Sequence, residues 1–515
     1  MSKAFIITPG DGRPTANAFW MPDHAKIIPR VEEPLRKNGL EPIWLHGQKE
    51  TVSSHFMAAR IARKLVTLAE NGDKLVVLTT GWNWPAHAGI VFTALQEMIR
   101  EGKLQVINIC NMKEKAPGYV GQRANVLALE IMQLPYDCLT VIDQSDEGWT
   151  AFGSDLKKVL DHSYKLSVPN DEVEITGEHE KTAKSAIRLL RESASIVPLV
   201  NVASMTMYQG WPNLYEFMKL GLTPIFVGSN EFQKLMAEIP DRRVLEAYEW
   251  LKGSNLQFCY EDSDLCEEEI LLALRMYLVK LDWHVRGAVG MGTQGQMEQI
   301  SIVATDLSES LMMSTMSPSK KRPVIDVTEA DCEALISSML GQAILYVKFG
   351  KWMPVGFHDI RHYCIQEDTL VLLNSGAQAL DYLTDSPGDY SDIRVVSQNR
   401  KVYFLQGGGC IEGNMQPAKN TTLFRLHATG PTYKMETASM NILPLSWEKR
   451  QEVYGELDHW PMGIVQIPDG RTKDTTLSWI PNHGQHTQEN ILPELAAACK
   501  LLKYDFSCFA TAPND

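Results

Sequence analysis

The 515 residues carry a formal net charge of −14, with 44% hydrophobic and 22% charged side chains. That is the balance of a soluble globular protein, too long for one ordinary core. No basic stripe outweighs the negative charge, which argues against a general nucleic-acid or anionic-membrane binder: no nucleic acid and no membrane are expected as partners.

The opening MSKAFIITPGDG is too short an apolar stretch for a signal peptide, and no run approaches the roughly 18 apolar residues of a membrane span. Nine cysteines without a C-x-x-C pair read as reduced thiols. The expected compartment is therefore the cytoplasm. Over residues 1–165 strand and helix patterns alternate: KAFIITPG, the helix IIPRVEEPLRKNG stopped by Gly39, EPIWLHG, the amphipathic SHFMAARIARKLVTLAENG, KLVVLTTG, GIVFTALQEMIREG, LQVINICN, RANVLALEIMQ and CLTVIDQ. Strands apolar throughout, separated by helices, predict a flavodoxin-like parallel sheet covered on both faces. Ligands on such sheets bind beyond the carboxyl ends of the strands, which singles out PGDGRPT and TTGWNWPAHAG.

Residues 166–350 restart the pattern with EKTAKSAIRLLRESA, IVPLVNV, PNLYEFMKLG and LTPIFVG, then helices over 242–253 and 266–285. A second doubly wound α/β domain is expected. GAVGMGTQG lacks the strand–turn–helix context of a dinucleotide fingerprint and reads as a tight turn. Residues 351–515 read as a mainly β, antiparallel or barrel-like domain closed by the helix QENILPELAAACKLL. Several of the twelve tryptophans stand beside Gly or Pro, where loop tryptophans can serve sugar sites as apolar platforms.

WIPNHGQHTQEN carries His483, His486 and Glu489 at helical spacing. Pro481 and Gly484 favour a turn around His483, with a helix starting near Gln485–Thr487, so His483 alone is expected to act as a ligand. Carboxylate partners belong at strand ends or helix starts. RPVIDVTEADCEALISSML reads as a strand over 323–327 entering a helix, with Thr328 as cap and Glu329 in the first turn, where helix capping alone would also suit an acid. VGFHDIRHYC places Asp359 in a β-like run beside Arg361, where an ordinary ion pair is the plain alternative.

Together, PVIDVTEADCEALISSMLGQ, FHDIRHYC, LVLLNSGAQALDY, YFLQGGGC, HWP and NHG, in that order, resemble the L-fucose isomerase family, with its L-arabinose isomerase-like relatives. DGR near the N-terminus, a Trp after the third strand, SM in the second domain and GTQGQ extend the resemblance thinly over the whole chain. It implies a metal-dependent aldose–ketose isomerase working through a cis-enediol, with Glu329, Asp359 and His483 holding a divalent cation. That cation is typically Mn2+, with Co2+ or Mg2+ as substitutes, and Glu329 and Asp359 would act on the substrate. By position, substrate contacts fall on Arg13, Trp82, Met205, Gln294, Trp460 and Asn482. Trp82, Trp460 and Met205 read as core residues too, and Gln294 as the pin of a Gly-rich loop. The resemblance also implies a homo-oligomer, hexamer or trimer, with active sites shared between subunits and a small sugar as partner.

The chain departs from the family in a longer stretch between Glu329 and Asp359, in its shorter length, and around GGG, where Tyr403 and Cys410 both compete for a place in the pocket. These departures bear on which aldose binds, neutral or anionic such as sulfoquinovose, a sulfonated glucose; Arg13, Arg361 and Arg425 are the cations available for an anionic group. Two readings from other classes stand beside this one: a sugar-binding protein without catalysis, and a hydrolase using His483, His486 and Glu489 on a metal.

Overall fold

The computed structural model describes residues 2–48, 50–112, 118–193, 195–261, 263–295, 302–316, 322–386, 388–454 and 459–512. Of the GTQGQ motif, Gln296 lies outside the described residues. The first unit runs β1 (Ser2–Ile7), α1 (Pro14–Lys37), β2 (Leu40–Trp44), α2 (His55–Leu68), β3 (Asp73–Thr79), α3 (Pro85–Arg100), β4 (Leu104–Asn111), α4 (Gly118–Met132), β5 (Asp137–Val141) and α5 (Asp146–Leu160). Its strands are parallel in the order β2-β1-β3-β4-β5. The order reverses between β1 and β3, and their carboxyl ends lead to Arg13 and Trp82 as a doubly wound sheet requires. Helix α1 starts far earlier than the expected IIPRVEEPLRKNG: Pro14 opens it, and it runs through Pro22, Pro29 and Pro34. Burial of Trp20, His24, Ile27, Ile28, Val31 and Leu35 compensates the hydrogen bonds those prolines remove.

The second unit holds α6 (Gly177–Ser193), β6 (Ile196–Val200), α7 (Leu214–Lys219), β7 (Thr223–Val227), α8 (Ser229–Glu238), α9 (Asp241–Lys252), β8 (Gln257–Phe258), α10 (Glu267–Val285), β9 (Gly290–Thr293), α11 (Asp306–Met313), β10 (Ile325–Thr328) and α12 (Cys332–Phe349). Four of its strands make a parallel sheet in the order β10-β9-β6-β7. GAVGMGTQG is therefore not a tight turn: it supplies β9, paired on one side with β10 and on the other with β6. Gly292 keeps the backbone close to the next turn: a Cβ there would stand 3.1 Å from the Ala330 Cα, a tight contact.

The third unit holds β11 (Gly356–Cys364), β12 (Thr369–Leu373), β13 (Arg394–Ser397), β14 (Gly409–Glu412), β15 (Ala418–Thr429), β16 (Thr432–Leu443), α13 (Trp447–Tyr454), β17 (Met462–Gln466), α14 (Thr472–Ser478), β18 (His483–Thr487), α15 (Leu492–Leu502) and β19 (Asp505–Cys508). The order β15-β18-β11-β12-β17-β16, with β16 returning to β15, closes an antiparallel barrel, and β19 adds in parallel to β16. Closure leaves no free edge among those six strands. Strands β13 and β14 form a separate small sheet with β8, so the second and third units share backbone pairing across residue 350. Helix α12, buried from Cys332 to Leu345, packs against α6 and β15 and joins the two units in one core.

WIPNHGQHTQEN folds differently from its expectation. No helix starts at Gln485–Thr487: that stretch lies within β18, held between β11 and β15. The next helix, α15, opens only at Leu492. A strand flanked on both sides gains two ladders of hydrogen bonds, which outweighs the helical spacing of its polar residues.

Candidate active site

Strand β10 ends at Thr328, and the chain turns through two left-handed residues, Glu329 (φ 65°) and Ala330 (φ 49°), before α12 begins. Thr328 is not the helix cap. Asp331 is, its Oδ1 accepting the Ala334 N–H at 2.9 Å, and Thr328 instead donates its hydroxyl to Glu309 Oε2 at 2.7 Å. The left-handed conformation costs about 1–3 kcal/mol for a residue with a side chain, and such strain collects at functional sites. Here it places Glu329 outside the helix, at the carboxyl end of a parallel strand.

Asp359 lies in β11 directly opposite His483, the first residue of β18. The His483 Nε2 is 3.3 Å from Asp359 Oδ1 and 3.4 Å from Glu329 Oε2. On the other side of the ring, Nδ1 donates to Asp331 Oδ2 at 2.6 Å, and Asp331 Oδ1 accepts from Arg425 Nη2 at 2.8 Å. Arg425 and Asp331 are fully buried. Burial pushes the Glu329 carboxyl up to about 8, assisted by Asp359 and Asp331 and opposed by His483. Burial alone would lower His483, but its hydrogen bonds to Asp331 and Asp359 prevail and raise it to about 9. Burial would raise Asp331 too; Arg425 and His483 reverse that and hold it below the usual range.

The donor types of Glu329, Asp359 and His483 suit a divalent cation, although among the described residues no group of three such side chains is placed to hold one as it stands. Two oxygens and one imidazole form a hard donor set, and ligand atoms about 2.1 Å from a small cation stand roughly 3 Å from each other. The two carboxylates are drawn onto the imidazole, whose raised pKa marks a place that attracts positive charge. The Asp331 bond leaves Nε2 as the nitrogen facing the carboxylates, the orientation that metal-binding histidines take from an outer carboxylate.

The pocket above this cluster is lined by Arg13, Trp82, Glu329, Asp359, Arg361, Ser375, Tyr403, Phe404 and Trp460. Arg13 follows β1, pairs with Asp11 at 2.6 Å, and stacks over Tyr403 at 5.1 Å. Trp82 follows β3, and its indole N–H points at the Met205 sulfur 2.6 Å away. Trp460 donates its indole N–H to Gln398 at 2.9 Å. Of the residues expected by position, Arg13, Trp82 and Trp460 meet Glu329 and Asp359 in the pocket. Met205 stands behind Trp82, Asn482 is fully buried and accepts from Gln209 at 2.6 Å, and Gln294 is a buried residue at the end of β9; none of these three lines the pocket. Tyr403 lines the pocket, while Cys410 is buried in the adjoining core.

Arg361, with its Nη1 3.5 Å from Asp359 Oδ2, is buried at the pocket wall rather than in a surface pair. Arg425 is turned away onto Asp331 and Glu333. Asp331, two residues after Glu329 at a helix start, carries a readable capping signal in the sequence but no sign of its bond to His483. Gln398, which joins Trp460 to Asp306, gave no signal in its local sequence.

His486 faces away from the cluster. Its Nδ1 shares a hydrogen bond of 2.7 Å with His358 Nε2, its ring packs 4.5 Å from Tyr382, and burial lowers it to about 3. Glu489 precedes α15 and offers its backbone carbonyl to Thr487. Neither belongs to a supporting helix. His486→Ala is expected to lower stability by about 2–3 kcal/mol through lost packing while leaving divalent-cation affinity unchanged, as denaturant unfolding and metal titration would read. Loss of metal binding would favour a hydrolase-type cluster of His483, His486 and Glu489 instead.

Behind Glu329 lies a buried polar network. Lys280 pairs with Asp326 at 2.7 Å, both fully buried, and Glu309 accepts from Thr305 at 2.6 Å and from Thr328. Burial raises Glu309 to about 8 against the pull of Lys280, with Asp326 adding to the rise. A folded-state value above the unfolded one means stability that is complete below about pH 4.5 and is lost as pH rises through about 8. Glu309→Gln removes that loss. The melting temperature of the variant relative to the native chain should therefore be higher at pH 8.5 than at pH 5, and a pH-independent difference would refute the buried protonated acid.

No protein-family model matches the chain, and no curated protein matches it.

Proposed function

We propose that the protein is a divalent-cation-dependent aldose–ketose isomerase acting on an open-chain sugar through a cis-enediol. The observation that carries this reading is the convergence of the Glu329 and Asp359 carboxylates on His483 Nε2, beneath a pocket walled by Trp82, Trp460 and Arg13. Glu329, Asp359 and His483 would hold the cation, which when bound polarises a carbonyl and stabilises an enediolate. Both carboxylates converge on the same side of the imidazole, so one can move the proton between C1 and C2 while the other serves the oxygens. His483 acts as an anchor whose orientation Asp331 and Arg425 maintain. The indoles of Trp82 and Trp460 offer apolar faces to sugar C–H groups, and Arg13 offers donors to hydroxyls.

The free space within the pocket is about 20 Å3. Binding a sugar therefore requires its walls to open. Both cationic side chains at the wall already face acids, Arg13 on Asp11 and Arg361 on Asp359, so neutral aldoses and anionic ones such as sulfoquinovose stand side by side as candidate substrates. A homo-oligomer with shared active sites and a cytoplasmic location remain part of the proposal, and no described helix is long and apolar enough to cross a membrane.

A screen for ketose formation over neutral and anionic aldoses, with Mn2+ and with chelator, tests the reading. Chelator-sensitive isomerisation of at least one aldose is expected. Activity that survives thorough chelation, or sugar binding without turnover, would overturn it.

A further inference from the structure

A cavity of about 530 Å3 opens between the edge strand β5, helix α5, the end of β11 and helix α14, away from the pocket described above. Its lining includes Arg123 of α4, only 3% exposed. Among the described residues no carboxylate pairs with this guanidinium. Its Nη2 donates to the Leu477 carbonyl at 2.8 Å, and the group lies 4.6 Å over the Tyr119 ring. The buried Nε has no hydrogen-bond partner among the described residues. A desolvated cation without a counter-ion is costly, and neutral carbonyl and ring contacts compensate only part of that cost. Apolar side chains, among them Leu139, Phe152 and Leu477, line the cavity beside it. The cavity is also lined by the exposed acids Asp143 and Glu147 and the half-buried Asp155, against one exposed cation, Lys473.

We propose that this cavity is a second ligand site, taking a small organic monocarboxylate whose carboxylate pairs with Arg123 and whose apolar body lies on Leu139 and Phe152. The planar guanidinium matches a carboxylate in two parallel hydrogen bonds. The apolar walls select an organic over an inorganic anion, and the lining acids disfavour polyanions such as phosphates. The site is independent of the proposed isomerisation, since none of its lining residues belongs to the Glu329 pocket.

Titration of the full-length protein with benzoate, followed by calorimetry and thermal shift, tests the site. Saturable benzoate binding is expected, tighter than binding of the neutral isostere benzamide by about tenfold or more, with inorganic phosphate failing to compete. Arg123→Met should abolish the preference for benzoate over benzamide. Arg123 also holds α14, so a second variant guards against misfolding: Ala151→Trp, at an exposed position lining the cavity, should block benzoate while leaving the melting temperature of the free protein unchanged. Equal affinity for benzoate and benzamide, displacement by phosphate, or benzoate binding that survives both substitutions would overturn the proposal.

Discussion

Glu329→Gln is expected to lower ketose formation by about 10³-fold or more, and Asp359→Asn to lower turnover and cation affinity together. A glutamine in place of Glu329 would keep the volume and most hydrogen bonds of the native side chain but neither ionise nor exchange a proton, and positioned acid–base groups commonly contribute 10²–10⁴-fold. Removing an anionic ligand weakens cation binding as well, because the remaining carboxylate and imidazole supply one negative charge where two stood. The measurements are initial rates over a Mn2+ series together with direct metal titration of each variant. Native turnover in Glu329→Gln, or in exhaustively chelated protein, would sink the proposed chemistry. Retention of metal affinity in Asp359→Asn with lost turnover would confine Asp359 to proton transfer.

Asp331→Ala carries the largest expected effect on stability, about 3–5 kcal/mol, because it breaks a buried charge network by removing one member. Three roles vanish at once. Arg425 loses its 2.8 Å partner and, among the described residues, keeps only Glu333 at 3.7 Å as an acidic partner; α12 loses its N-cap, worth about 1 kcal/mol; and His483 Nδ1 loses its acceptor. Asp331→Asn separates these roles, since the single amide oxygen in the Oδ1 position can still cap the helix, while the amide NH2 facing His483 Nδ1 no longer accepts and the charge on Arg425 goes unmatched. Denaturant unfolding should rank the native chain above Asp331→Asn and that above Asp331→Ala, and metal titration should show affinity lowered about 10–100-fold in the alanine variant. A destabilisation below about 1 kcal/mol in Asp331→Ala would show that the network does not bear on folding.

The parallel sheets were legible because their strands are apolar throughout and their helices amphipathic, so period and length sufficed. Glu329 and Asp359 stood out because acids at the end of one apolar strand and within another need a reason to be there. The expected turn at GAVGMGTQG and helix start at Gln485–Thr487 failed for a shared cause. Both stretches are central strands whose partners lie far away in the chain: β9 between β6 and β10, β18 between β11 and β15. Glycines and polar residues make poor isolated strands, yet pairing on both sides overrides local propensity.

Residue types and their spacing within single segments were enough to identify two stretches of α/β structure and a β-rich third one, while Glu329, Asp359 and His483 came together as a set only through the family resemblance. Four matters were settled only by packing: the pairing of Asp359 with His483, the turning of Arg361 inward and Arg425 onto Asp331, the choice of Tyr403 over Cys410 for the pocket wall, and the binding of His486 to His358. Each depends on a register or a side-chain partner more than 20 residues away, or on which face of the closed barrel a residue takes. A one-residue shift of β18 against β11 would exchange His483 for a neighbour on the opposite face, and nothing local to WIPNHGQHTQEN sets that register.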